Sequence, residues 1–260
     1  MDMIKKIAAD TLLCSSLLSA GGDIAPVAVQ PEVQEVWVWS FEFAPYLAMS
    51  SISGDSAVIS DQVSPFKLDF ADIVDALEFG AAGHFEGVHS SGWGFWIDYN
   101  YVSLGSSKNL SAIGRTVTVD VKQSVLEVMG MYRQSFEKTT VDYMVGIRRW
   151  NLKMDAELSG IPDRHDTDND WVDGIVGVRV IYDIAPNWEV YVSGDVGAGA
   201  SDFTASATAG VRYIFNDWLD LDIQYRGLWV DYETGTPNSI DYFKYDTCTY
   251  GPMLGLNFKF

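Results

Sequence analysis

Between Asp217 and Tyr232 the chain alternates two kinds of residue. Leu219, Leu221, Ile223, Tyr225 and Trp229 hold one set of positions; Asp220, Asp222, Gln224 and Arg226 hold the other. A period of two sustained over this length marks a β-strand with one apolar and one polar face. Wound into a helix, the same residues would scatter Asp220, Asp222 and Arg226 around the cylinder and leave no apolar stripe. The run also exceeds the roughly five or six residues usual in globular strands. Most of the chain repeats this pattern, so the question is which face meets which solvent.

Nine further segments carry the alternation. The first runs from about Trp37 to Met49 and the second starts at Leu77. The third follows a tight turn at His89–Gly92 and begins at Trp93. The others begin near Val117, Val141, Val172, Trp188, Ala205 and Thr247, the last ending at Phe260, with the opening stretch ninth in order. Short connections (His89–Gly92, Phe136–Thr139, Asp183–Asn187, Phe215–Asp217) alternate with long ones (Ser50–Ala76, Gly105–Gly114, Glu157–Asn169, Glu233–Asp246). An even strand number with turns sorted by length is the pattern of a transmembrane β-barrel. The expected fold is therefore all-β: one antiparallel up-and-down barrel of about ten strands. The count becomes twelve if Ser56–Leu68 adds a hairpin. In the first long connection Asp69 precedes Phe70, Ile73, Val74 and Leu77, which predicts a short amphipathic helix capped by Asp69 and resting on the barrel rim.

Two strands change parity. Val117, Val119 and Val121 give way to Leu126, Val128 and Tyr132; Val141, Tyr143, Val145 and Ile147 give way to Trp150, Leu152 and Met154. The changes face each other across a hairpin, which predicts a paired bulge that keeps Arg148 and Arg149 off lipid.

Residues 1–26 read as an export signal: Lys5 and Lys6, the apolar Ile7–Leu18, then Ser19-Ala20-Gly21-Gly22. Residues 27–36 form a linker and 37–260 the barrel domain. Beyond the leader no run approaches the roughly 18 apolar residues of a membrane helix. With Cys14 in the leader, the mature chain would keep Cys248 as its one thiol. A net charge of -19 leaves no cationic footprint for nucleic acid. The rival fold is a lipocalin-like soluble barrel, apolar inside. Loop asymmetry, the leader and rings near strand ends (Trp37, Trp93, Tyr182, Trp188, Phe215, Trp218, Trp229, Phe258) favour the membrane.

With the apolar face outward, the lumen receives Glu42, Glu78, His84, Glu86, Asp98, Asp120, Lys122, Asp142, Arg148, Asp173, Arg179, Glu189, Asp195, Arg212, Asp220, Asp222, Arg226 and Lys259. Both signs share comparable depths, so a polar network filling the bore is expected. His84 shares a face with Glu78 and Glu86, a base–carboxylate arrangement that serves equally as lumen hydrogen bonding. Asp166-x-Asp168-x-Asp170 resembles the first half of a calcium loop, but Trp171 replaces the turn glycine and no glutamate closes it. A solvated acidic loop is the simpler reading.

The stretches WSFEFAPYLAMSSISGD, DFADIVDALEFGAAGHFEG, WVDGIVGVRVIYDIAPNWEVYVSGDVGAGASDFTASATAGVRYIFNDWLDLDIQYRGLWVDY and GPMLGLNFKF together resemble a family of largely uncharacterised proteobacterial outer-membrane barrels, and more distantly OmpA- and OmpW-type barrels. The resemblance spans nearly the whole mature chain. It implies an outer-membrane location among lipid and lipopolysaccharide, and insertion by the barrel-assembly machinery, with Phe258 and Phe260 as the terminal signal. It implies no cofactor and supplies no catalytic residue. The combined Asp/Asp plus Asp-x-His pattern of ten-stranded outer-membrane proteases is not seen. The expected function is non-enzymatic: a structural or surface role, or narrow passage of small solutes. The alternatives are an enzyme acting on lipid or lipopolysaccharide, with His84 or His165 as base, and a soluble binding barrel.

Overall fold

The computed structural model describes residues 38–57, 64–110, 115–158, 164–237, 239 and 242–260; the side chains of 57, 64, 108–110, 115–117, 156, 158 and 164–166 are not described. The leader at 1–26 and the linker at 27–36 lie outside the described residues. The strands are β1 (Trp39–Ala48), β2 (Ser51–Ala57), β3 (Ser64–Leu68), β4 (Leu77–His89), β5 (Trp93–Leu110), β6 (Arg115–Ser135), β7 (Thr139–Leu158), β8 (Arg164–Ala185), β9 (Trp188–Gly199), β10 (Phe203–Asn216), β11 (Leu219–Thr234) and β12 (Phe243–Lys259), with one helix, α1 (Phe70–Ala76).

The sheet order is β1-β4-β5-β6-β7-β8-β9-β10-β11-β12-β2-β3, and a β1–β12 ladder closes it. Ten strands make the barrel wall. The closing rungs run from Glu42↔Lys259 to Ala48↔Met253, and Phe41 and Phe260 exchange both backbone hydrogen bonds at 2.9 and 3.0 Å. Twelve strands is thus the total, but the additional pair is not a transmembrane hairpin. β2 carries β1 onward along the outer half of β12, Ser51↔Tyr250 to Ala57↔Lys244, and β3 folds back on β2. α1 forms where the i, i+3, i+4, i+7 spacing places it. The Asp69 N–H donates to the Asp72 carboxylate at 3.0 Å at its first turn.

No described helix is long and apolar enough to cross a membrane. The strands cross. Phe43, Tyr143, Val145, Ile147, Val176, Val178, Val192, Val196, Ile223, Tyr225, Leu254 and Leu256 all point out of the barrel and stay exposed. On β8 the apolar outer set spans Tyr182 to Val172. Ten residues at about 3.3 Å each, tilted by about 40°, rise about 25 Å, the height of an outer-membrane apolar band. Trp39, Trp93, Tyr182, Trp188, Phe215, Trp218 and Phe260 ring its lower edge. This is an outer-membrane barrel, with its apolar face turned to lipid.

The expected paired bulge is absent. The β6–β7 ladder runs unshifted from Val117↔Leu158 to Ser135↔Thr140, and β5–β6 and β7–β8 are equally regular. Parity never changes; the solvent does. Along β7, Asp142, Met144, Arg148, Trp150 and Leu152 are all buried inward, while Tyr143, Val145, Ile147, Arg149 and Lys153 all face out. Below Arg148 the outside is hydrocarbon, so the outer set is apolar. Above it the outside is water, and the apolar set moves inside the bore. Arg149 escapes lipid by standing above it, where it pairs with Asp170 at 2.6 Å.

The same switch explains the long loops. Residues 105–110, 157–158 and 164–169 are strand, carried above the lipid as a water-facing barrel wall by β5 through β8. Val176, 56% exposed at mid-band, tests the assignment against Asn151, above the lipid. Val176→Arg should cost about 2–4 kcal/mol in reversible denaturant unfolding from vesicles, and Asn151→Arg, beside Asp168 and Asp170, no more than about 0.5 kcal/mol.

Candidate functional site in the barrel lumen

Inside the membrane-spanning half, ionised side chains from facing staves meet across the bore. Arg148, fully buried on β7, is the hub. Its Nε donates to Glu127 of β6 at 2.8 Å, Nη1 to the Thr204 hydroxyl of β10 at 2.8 Å, and Nη2 to both oxygens of Asp195 on β9 at 2.9 and 3.0 Å. Asp195 also accepts from the Ser206 hydroxyl. Glu127 receives Arg226 of β11 at 2.5 Å, and Arg226 lies 3.5 Å from Asp98 of β5. Asp98 accepts from the Tyr46 hydroxyl of β1 at 2.9 Å.

Lower down, Arg179 bridges Glu86 (2.8 Å) and Asp142 (2.7 Å), and Arg133 repeats the bridge at 3.1 and 2.7 Å. The Arg179 guanidinium also lies over the Trp96 ring, 4.9 Å from its centroid. Arg212 reaches Glu42 at 3.1 Å, Asp222 at 3.5 Å and Glu189 at 3.8 Å; Asp222 accepts from Tyr191 at 2.8 Å. Lys259 sits 2.5 Å from Asp220. Asp173 accepts the Ser201 N–H at 2.8 Å, tying down the short β9–β10 rim. The cavity left among these groups is about 70 Å³, room for little more than water.

His84 sits inside this network. Nε2 is 3.3 Å from Glu86 and Nδ1 is 3.7 Å from Asp98, with its ring edge-on to Trp96 at 4.8 Å. Both nitrogens are engaged by carboxylates. His89 lies in the β4–β5 turn, where Nδ1 meets the Ser91 hydroxyl (2.7 Å) and backbone N–H (3.1 Å), a local turn arrangement. The His165 side chain lies outside the described residues. Asp163-Arg164-His165 does carry an Asp-x-His spacing, and Asp163 too lies outside them.

Three expected lumen residues are elsewhere. Lys122 and Asp120 belong to the outward set of β6, whose inward residues are Val121, Gln123, Val125 and Glu127. Glu78 is displaced by the register shift between Leu77 and Phe79. It is exposed, accepts from the Ser103 hydroxyl at 3.0 Å, and lies with Asp120 over Gly105. Conversely Glu127, Arg133, Tyr46 and Tyr191 join the network although they were not expected. Glu127 and Arg133 have the parity opposite to Leu126, Val128 and Tyr132, and that signal alone would have found them.

Above the network the bore holds a second, apolar layer. Trp150, Trp171, Leu152, Val125, Leu228, Val230, Tyr232, Phe243 and Tyr245 form one buried cluster. Trp171 stacks on Tyr232 at 4.1 Å and on Trp150 at 5.6 Å, both nearly parallel. Outside this level Asp168 and Asp170 lie on strand β8 rather than in a loop. Asp168 takes Lys153 at 2.7 Å and Asn151 at 3.2 Å, and the Lys153 hydrogen bond holds its carboxyl below the ordinary range. Alternate positions on a strand fan these carboxylates along the wall rather than around an ion; the Asp166 side chain lies outside the described residues. Among the described residues no group of three or more His, Cys, Asp or Glu is placed to hold a metal.

No family model and no curated protein matches the chain. Solved structures do. The outer membrane protease OmpT of Escherichia coli aligns with 9% identity and a TM-score of 0.53, over 85% of this chain and 97% of that one. The translocator domain of autotransporter NalP of Neisseria meningitidis gives 10% identity and 0.48, over 87% and 90%. Neisserial surface protein A gives 14% and 0.31, over 85% and 97%. The likeness is one of fold. It extends to several kinds of outer-membrane barrel and is not specific to the OmpA or OmpW type.

A buried guanidinium removed from its carboxylates leaves them uncompensated. Arg148→Met should therefore cost about 3–5 kcal/mol in unfolding free energy. Adding Glu127→Gln and Asp195→Asn to that variant should restore part of the loss, measured as a shift of the denaturant midpoint.

Proposed function

We propose that this chain is a non-enzymatic outer-membrane barrel with a sealed lumen, acting through its wall and its raised outer rim rather than by passing solutes. The observation that carries the reading is the pair of packed layers inside one bore: a cross-strand ionic layer centred on Arg148 beneath a stacked aromatic layer centred on Trp171. Either layer alone blocks a wide pore. The residual cavity of about 70 Å³ among the paired charges supports a bore that passes no solute freely.

The non-enzymatic part of the reading draws support from His84, whose two nitrogens face carboxylates beneath the seal, out of reach of a substrate. OmpT is a protease, but a likeness at 9% identity carries no catalytic residue to this chain. Insertion by the barrel-assembly machinery fits the terminal strand. Phe260 is exposed and stacks on Phe41 at 5.9 Å, and Phe258 lies over Trp218 at 6.4 Å. Lipopolysaccharide is the partner the rim would meet, with Arg149 and Lys153 standing just above the apolar band.

Planar-bilayer recordings test the seal. Wild-type protein should give no steady conductance, and the Arg148→Ser/Trp171→Ala double variant should open measurable, cation-preferring steps. A stable wild-type channel would overturn the reading. So would peptide cleavage or lipid hydrolysis by the wild type that His84→Ala or His165→Ala abolishes.

A further inference from the structure

The wall is not laddered all the way round. β1 and β4 pair from Trp39↔His89 up to Pro45↔Gly83 and then part. Above that rung Tyr46, Leu47 and Ala48 pair with β12, while Leu77 and Phe79 to Ala82 pair with β5. Pro45 has no N–H to offer either neighbour, and the β1–β12 rungs skip Ala44 and Pro45 as well. Six residues above Trp39, at about 3.3 Å each and a tilt of about 40°, Pro45 stands about 15 Å up the band. The gap therefore opens in the outer-leaflet half of the wall.

Helix α1 lies across this gap. Its Phe70 N–H donates to the Ser51 hydroxyl at 3.1 Å, and it packs against β3 and β5. None of its residues is buried, and Phe70 and Val74 remain exposed. Behind the helix is a cavity of about 230 Å³ that runs from the gap into the bore, between the ionic layer and the aromatic layer. Ile73, Val74 and Leu77 line its mouth; Leu104, Val125 and Leu228 line its inner end. Along the free edge of β4, Gly80, Ala81 and Ala82 add almost no bulk. Of its polar lining, Asp98 takes Tyr46 and Arg226, and Arg226 reaches Glu127 through Nη2, while Ser50, Asn100, Gln123 and Thr249 make up the polar minority.

We propose that this cavity binds one unbranched hydrocarbon chain of an amphiphile, admitted from the outer leaflet through the β1–β4 gap. The volume exceeds the roughly 150 Å³ apolar cavity known to take up benzene. Its lining is mostly apolar, and its mouth opens where the surrounding solvent is itself hydrocarbon. The inference stands apart from the sealed-lumen reading, since the cavity enters from the side.

The test uses the full-length protein in phospholipid vesicles with a dodecanoic acid bearing a terminal diazirine, photolysed and mapped by peptide mass spectrometry. A parallel arm carries the same diazirine chain on a phosphatidylethanolamine, and shows whether a free acid or a lipid-borne chain enters. Adducts are expected on the inward-facing Leu104, Val125 or Leu228, which bulk lipid cannot touch. Gly80→Trp should abolish them and leave adducts on the outward Ile223 and Val145 unchanged. A β-carbon at Gly80 meets only Leu77 and the Tyr101 carbonyl, at 3.7 and 3.9 Å, so the backbone accepts the change. Adducts confined to outward residues in the wild type, or inward adducts that survive Gly80→Trp, would overturn the proposal.

Discussion

A peptide N–H or C=O left open in hydrocarbon costs several kcal/mol, and that penalty governs how this chain can be arranged. Closure between β1 and β12 removes the two edges a ten-stranded sheet would otherwise leave in lipid. The closing strand carries Phe260 to the base of the wall, where it exchanges hydrogen bonds with Phe41. At the level of the lipid the ladder lapses between β1 and β4, where the break coincides with a proline, a glycine–alanine edge and a helix laid over the opening. So short a helix leaves most of its end groups without partners in its own turns, and the Phe70 N–H is taken by the Ser51 hydroxyl of β2.

The second constraint is the change of solvent along each strand. A strand has two faces for its whole length, but the outside turns from hydrocarbon to water about 25 Å above the lower aromatic ring. The favourable side for apolar residues therefore reverses at that level with no change of backbone. β7 shows it between Arg148 and Arg149, and β11 repeats it: Asp220, Asp222 and Arg226 face in below, Leu228, Val230 and Tyr232 face in above. The upper barrel is folded like a soluble protein, around Trp171, and the lower like a membrane protein, around Arg148.

This reversal also marks what could be read from the residues alone. The ten wall strands, the short turns, the Asp69 helix and the inward parity of Arg148, Arg179 and Arg226 all follow from local patterns, because alternation and turn chemistry act over a few residues. From the residues alone the reversal reads as a bulge, because lipid is taken to surround each strand along its whole length. Trp150 and Leu152 then have to be outward. The partners of each charge were not legible at all. Arg226 meets Glu127 across 99 positions of sequence and Arg212 meets Glu42 across 170, distances set by shear and register around a closed sheet. The β1–β4 gap was equally hidden, since it depends on where one ladder stops relative to another.

The charged lumen follows from the outer face. Once every second residue must be apolar to meet lipid, the others face a bore too narrow for bulk water, and alternation makes many of them polar. Ionised groups there are costly unless they find partners, and replacing a buried ion pair by packed apolar residues is often neutral or stabilising. The Arg148 cluster is therefore better understood as fixing which stave faces which than as a source of net stability. Arg148 bonds to β6, β9 and β10 at once, with four hydrogen bonds of 2.8 to 3.0 Å. A slip of any one ladder by a single residue would turn its partner to lipid and strand the guanidinium. Met129, Met131, Met144 and Ile175 pack beside it as a purely apolar layer, and such a layer could tolerate a slip that the charges cannot.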